Sequence, residues 1–236
     1  MNKDFKGIEE KIGVRFVNGA LLKEALTHRS YLNEHSDWSV PHNERLEYLG
    51  DAVTELITTD FLFKKFPNRQ EGELTSFRAA LVNYQMMGKV AREIALDKYL
   101  YLSKGEEKDS GKAREVILAN AFEALVGSVY LDAGYEKTRE FVERVLISHL
   151  DEVIQEGLYR DPKSLLQEMV QEKLKLTPTY RVLAENGPDH QKKFTVGVFF
   201  GDTLAAEGGG TSKQEAESSA ARMALSSFED AKKEDN

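Results

Sequence analysis

Cysteine is absent from this chain of 236 residues. That removes disulfides, thiolate metal sites and cysteine nucleophiles together, and it fits a reducing compartment. Any bound metal must rest on carboxylates, amides, water or imidazole. Long apolar runs are missing as well. None reaches the roughly 18 residues that a membrane span needs, and the first ten residues carry charges without a signal-peptide core. A cytoplasmic protein with no membrane partner is the expectation. Positive charge is also in short supply: 32 Lys and Arg stand against 40 Asp and Glu, a net charge of -8. Overall charge therefore argues against a polyanionic partner, and nucleic acid would have to be met by local patches and by cations. No G-x-x-x-x-G-K-[ST] loop occurs, so nucleoside triphosphate hydrolysis lacks its usual phosphate cradle. Internal repeats and low-complexity tracts are lacking too.

The length suffices for one large domain or two ordinary ones, each with its own core. From residue 8 to about 150 apolar residues recur at spacings of three and four, with breaks at Pro67, Gly72, Gly105 and Gly134. This predicts an all-α domain over residues 1–150. Residues 151–160 are polar without an apolar stripe and read as a linker. Asp161 then caps a helix whose first residue is Pro162. Residues 163–176 form an amphipathic helix, after which the period becomes alternating. Strands are predicted at 179–183, 193–200 and 203–207, separated by Asn186-Gly187-Pro188 and Gly201-Asp202. A final helix at 212–228 carries Ala220 and Ala221, small enough to pack closely on a sheet. The second domain, 161–229, is thus α+β in the order α-β-β-β-α. Residues 230–236 read as a charged, disordered tail.

The most informative segment is His42-Asn43-Glu44-Arg45-Leu46-Glu47-Tyr48-Leu49-Gly50-Asp51-Ala52-Val53. On a helix Glu44, Glu47 and Asp51 fall within about 60° of one another, with Leu46, Leu49, Val53 and Leu56 opposite. Such acids repel, and no Lys or Arg shares their stripe. Taken alone, the stripe reads first as the solvated face of an amphipathic helix. A second segment, residues 116–131, changes that reading because it is apolar almost all the way round, as a core helix is. Asn120 and Glu123, one turn apart, are its main polar groups, and a buried carboxylate needs a partner or a metal. If the two helices pack together, Glu47, Asp51, Asn120 and Glu123 form an oxygen-only cluster suited to Mg2+ or Mn2+. The alternative is a structural polar cluster. Gly127 would let two backbones approach closely. A divalent ion there would activate water and stabilise the leaving oxygen of a phosphodiester. His28 and His42 receive no catalytic role.

Residues 42–53 resemble the ribonuclease III signature at twelve consecutive positions. Leu26-Thr27-His28-Arg29-Ser30-Tyr31, Glu71-Gly72-Glu73-Leu74, Arg78-Ala79-Ala80-Leu81-Val82-Asn83 and Lys104-Gly105-Glu106 are similar to further family blocks in the family's order. The resemblance implies an all-α endonuclease domain whose metal is held at Glu47, Asp51, Asn120 and Glu123. Asp51 and Glu123 would serve hydrolysis most directly, Glu47 would bridge metal and structure, and Glu44 would be an outer acid near a dimer contact. Asn120 departs from the common Asp: its amide oxygen can ligate Mg2+ but brings no charge and takes no proton.

Residues 161–228 resemble a double-stranded-RNA-binding domain. Ser164, Gln167, Glu168 and Gln171 match its minor-groove helix face. Gly187-Pro188-Asp189-His190 matches the loop that reaches the next minor groove, and Ser212-Lys213-Gln214-Glu215 matches the helix start that meets phosphates. Where that family often has two adjacent lysines, Lys213 is followed by Gln214; Lys192 and Lys193 compensate in part. The implied activity is Mg2+-dependent cleavage of double-stranded RNA by a homodimer. Its products would carry 5′-phosphates and short 3′ overhangs, in the processing of ribosomal, messenger and transfer RNA. The alternative is a duplex-RNA-binding regulator whose nuclease centre is weakened by Asn120. A helical phosphohydrolase of small molecules ranks below both, because it leaves the C-terminal domain unused.

Overall fold

The computed structural model describes residues 4–108, 110–188 and 192–234. The chain divides into two compact units, Met1–Tyr159 and Arg160–Asn236. The first unit is helical: α1 (Lys6–Ile12), α2 (Gly19–Ala25), α3 (Arg29–Glu34), α4 (Glu44–Lys65), α5 (Glu71–Leu81), α6 (Tyr84–Glu93), α7 (Lys104–Lys108), α8 (Lys112–Val145) and α9 (Leu150–Gln155). The apolar α8 is its axis, with α4, α6 and α2 laid against it. Its Leu118, Phe122, Leu125, Val126 and Val129 are sealed from solvent with Ile57, Leu62, Val90 and Phe141 around them. α8 qualifies the reading that nothing is apolar and long enough to span a membrane. Lys112–Gln155 passes that test by composition, yet most of the stretch is buried within the helical core.

Three expectations change. Gly72 and Gly105 do not break helices but sit in the first turns of α5 and α7, where N–H groups lack intrahelical partners anyway and glycine disrupts least. Gly134 does interrupt α8, with φ +78°, a conformation that L side chains rarely adopt. Residues 151–160 are not a plain polar linker. Leu150, Val153 and Ile154 make an apolar stripe of i, i+3, i+4 spacing, and Val153 is fully buried. Tyr159 packs edge-on against Phe77, ring centroids 4.6 Å apart. The short stripe was hidden by the acids Asp151, Glu152 and Glu156 around it.

The second unit has the α-β-β-β-α order: α10 (Pro162–Leu174), β1 (Pro178–Asn186), β2 (Lys193–Phe200), β3 (Thr203–Gly210) and α11 (Lys213–Glu234). The strands form an antiparallel sheet in the order β1-β2-β3. Asp161 caps α10, its carboxylate accepting from the Ser164 N–H at 3.0 Å. β1 and β3 run longer than expected, and α11 continues past residue 228 into the stretch expected to be a disordered tail. Ala, Lys and Glu in residues 231–234 favour helix strongly enough to carry it on.

α10 and α11 share one core with the sheet, built on Leu166, Val170, Val198, Ala220, Ala221 and Ala224. Small residues face each other there: a Cβ on Gly208 would stand 2.1 Å from the Ala220 nitrogen, and one on Gly210 2.5 Å from that of Ala216. Gly208→Ala should therefore push α11 off β3 and lower the stability of this unit by about 2 kcal/mol, read by urea denaturation. Gly209→Ala, whose Cβ would meet nothing nearer than 3.9 Å, should leave the midpoint nearly unchanged.

Candidate active site

Two backbone contacts fix the site before any side chain does. A Cβ on Gly50 of α4 would lie 1.8 Å from the Glu123 carbonyl oxygen of α8, and one on Gly127 would lie 2.3 Å from the Leu46 carbonyl oxygen. The helices cross in backbone contact, which glycine at both places permits. Glu47 and Asp51 flank Gly50 on α4; Asn120 and Glu123 lead up to Gly127 on α8. Asn43 sets the entry of α4: it is buried, its N–H donates to the Thr27 carbonyl at 2.9 Å and its side-chain amide to that of Ala25 at 3.3 Å.

The four residues singled out on these helices are brought together. The Asn120 amide hydrogen-bonds Glu47 and favours its charged form, against burial and the nearby Glu44 and Asp51, whose net effect raises the Glu47 carboxyl. Glu123 is pushed up to about 8, first by burial and then by the charges of Asp51 and Glu47. Among the described residues no three Asp, Glu or His side chains converge as a closed ligand set.

Glu44 is drawn aside, pairing with Arg29 of α3 at 3.3 Å and lying 3.7 Å from His42. Relief for the outermost acid thus comes from another helix, which a reading along α4 could not show. His28 caps α3, its Nδ1 accepting from the Ser30 N–H at 3.3 Å. Leu56, expected on the buried side of α4, is 57% exposed, and Tyr48 and Phe63 are more so. The buried side rotates toward Leu46, Gly50, Val53 and Ile57 because the contact with α8 runs through Gly50.

In the second unit Ser164, Gln167, Glu168 and Gln171 are all exposed along α10. The Ser164 hydroxyl donates to Asp161 at 2.9 Å. Ser212 caps α11, its hydroxyl oxygen accepting from the Glu215 N–H at 3.2 Å. Lys193 is exposed, whereas Lys192 and Lys213 each reach Glu185 at 3.2 Å. Asp189 and His190 lie outside the described residues. Gly50 and Glu185 were overlooked in the sequence: the first was hidden among the acids of its own motif, and the second lies beyond the strand expected at 179–183.

Residues 18–150 match the family model described as Ribonuclease-III-like, and residues 162–227 match the Double-stranded RNA binding motif. The chain belongs to the ribonuclease III family. Ribonuclease 3 of Borreliella burgdorferi is 44% identical over 220 residues, 93% of this chain and 89% of that protein. Ribonuclease 3 of Dehalococcoides mccartyi is 44% identical over 226 residues, covering 96% and 95%. The crystal structure of the nuclease domain of Campylobacter jejuni ribonuclease III matches with a TM-score of 0.56 at 36% identity, over 63% of this chain and 97% of that one. The protein is an endoribonuclease that cleaves double-stranded RNA, with a helical nuclease domain followed by a double-stranded-RNA-binding domain.

The raised Glu123 carboxyl makes the folding of the metal-free enzyme pH-dependent. Its proton is held more tightly in the fold than in an open chain, where the ordinary value is 4.5. The stability it contributes is full below that value and is lost as pH rises toward about 8. With chelator present, stability should fall by on the order of 2 kcal/mol between pH 5 and 8, allowing for the water that still reaches the carboxyl. Glu123→Gln should flatten the profile, as followed by thermal unfolding.

Proposed function

We propose that Glu47, Asp51, Asn120 and Glu123 hold a divalent cation, Mg2+ or Mn2+, and that duplex RNA is cut beside it. The observation that carries this reading is the α4–α8 crossing, where backbone contact at Gly50 and Gly127 sets the half-buried Glu123 beside Asp51 and Glu47. Oxygen donors carrying uncompensated charge suit a hard cation. When bound, such an ion supplies an activated water and charge stabilisation at the leaving oxygen of the phosphodiester. The residues do the rest. Glu123 gives up the proton it carries at neutral pH, Asp51 offers an exposed carboxylate from α4, and Asn120 orients Glu47 through its amide. Glu44, tied to Arg29, stays outside this set as a supporting acid. The products carry 5′-phosphates and short 3′ overhangs, and the substrates are duplex segments of ribosomal, messenger and transfer RNA precursors in the cytoplasm. Ser164, Gln167, Gln171, His190, Lys192, Lys193, Ser212 and Lys213 are the RNA-facing residues of the second domain.

Asp51→Ala and Glu123→Ala should each lower cleavage of long duplex RNA in Mg2+ by at least about a hundredfold, with RNA binding in EDTA unchanged. Calorimetry in buffers of different ionisation enthalpy should show proton release when Mg2+ binds the wild type, and less of it with Glu123→Gln. Unchanged cutting in both alanine variants would sink the assignment.

We further propose that the nuclease domain forms a homodimer through α4. Tyr48, Leu56 and Phe63, 84%, 57% and 70% exposed, fall within about 80° on one side of that helix. Large apolar groups lined up in water mark an interface. One of the related Campylobacter jejuni nuclease-domain structures is described as flexible in a region involved in dimer formation, which agrees with this reading. Tyr48→Glu combined with Phe63→Glu should halve the mass seen by sedimentation velocity while leaving the helical circular dichroism intact.

A further inference from the structure

We propose that Glu185 is a built-in phosphate competitor that holds back the affinity of the second domain for duplex RNA. This rests on the reading that Lys192 and Lys213 face RNA. The sheet register puts the three groups together: Glu185 pairs with Phe194 across β1 and β2, and Phe194 pairs with Gly210 across β2 and β3. From Gly210 the chain turns through Thr211 and Ser212 into α11, which brings Lys213 back over the Phe194 ring, 5.7 Å from its centroid. Lys192 immediately precedes β2. One Glu185 oxygen lies 3.2 Å from the Lys213 ammonium and the other 3.2 Å from that of Lys192. The two lysines hold the Glu185 carboxyl below its usual range.

A carboxylate bridging two ammonium groups at these distances stands where a backbone phosphate oxygen would stand, with the same charge sign and the same acceptor geometry. Binding RNA then requires both lysines to exchange one anion for another. The counter-ions that would otherwise be released from RNA by two free lysines are partly replaced by the loss of internal pairs. The pairs are open to water, with Glu185 about a third exposed and the lysines more so, which makes the exchange easy and the restraint graded. The same carboxylate keeps the lysines at a fixed mutual spacing.

The test uses the full chain in EDTA with a perfectly paired RNA of about 20 base pairs, longer than the roughly 16 that such a domain spans. Glu185→Gln should bind roughly three- to tenfold tighter and show a steeper salt dependence. Asp202→Asn, which makes the same change of charge in the turn at the other end of β2, should change affinity less than twofold, on the order expected of a remote exposed charge. In a Lys192→Ala, Lys213→Ala background Glu185→Gln should have no effect. Equal or weaker binding by Glu185→Gln, relative to Asp202→Asn, would overturn the proposal. If the double-lysine variant instead binds as tightly as wild type, it is the RNA-facing reading of these lysines that fails.

Discussion

The nuclease unit depends on α4 and α8 touching backbone to backbone. Gly50 lies against the carbonyl of Glu123, and Gly127 against that of Leu46. No side chain separates the helices there, so residues next to the contact on both must share a small volume. Glu47, Asp51, Asn120 and Glu123 are among them. The apolar surface of α8, sealed by Phe122, Leu125, Val126 and Val129, drives the crossing, and burial of that surface offsets the electrostatic cost of placing Glu123 beside Asp51 and Glu47. Core and site are thus one construction: the packing that stabilises the fold is what raises the Glu123 carboxyl.

Much of this was visible in the sequence. The acids of residues 44–51 share a helix face because 3.6 residues per turn puts them there, and residues 116–131 read as a core helix because almost nothing polar interrupts them. Their meeting was a guess that one glycine, Gly127, supported. What the sequence hid was the rotation of α4. Counting hydrophobicity put Leu56 inside, yet the contact runs through Gly50, which scores as nothing on such a count. Backbone proximity, not apolar content, chose the buried face. The stripe of Leu150, Val153 and Ile154 was masked by flanking acids, of which Glu152 is tied to Lys89 and His149 and Asp151 to Lys65.

The second unit shows the limit in another form. Its period change from helix to strand was plain, and the small residues at 220 and 221 announced close packing. Their counterparts, Gly208 and Gly210, belong to a run of three glycines that reads as a weak end to a strand. In the fold they are what lets α11 lie on β3 at all. Register, which sets Glu185, Phe194 and Gly210 in a row, follows from strand pairing that includes an irregularity between Val182 and Ala184. No count along one strand could have placed that glutamate beside Lys192 and Lys213.

Net charge therefore says little about whether a chain meets a polyanion; the arrangement of its internal pairs says more. Among the described residues of the nuclease unit no salt bridge reaches Glu47, Asp51 or Glu123, while the outer acid, Glu44, is tied to Arg29. That leaves a local demand for positive charge which a small cation can satisfy and a lysine, had one been present, would have cancelled. In the RNA-binding unit the logic is inverted at two lysines: Lys192 and Lys213 are already paired with Glu185, whereas Lys193 stays exposed. A chain with a net charge of -8 that carries a double-stranded-RNA-binding domain need not present an overall basic surface, since such domains read A-form shape. The two units reach opposite local balances by the same means, the choice of which acids are given a protein partner.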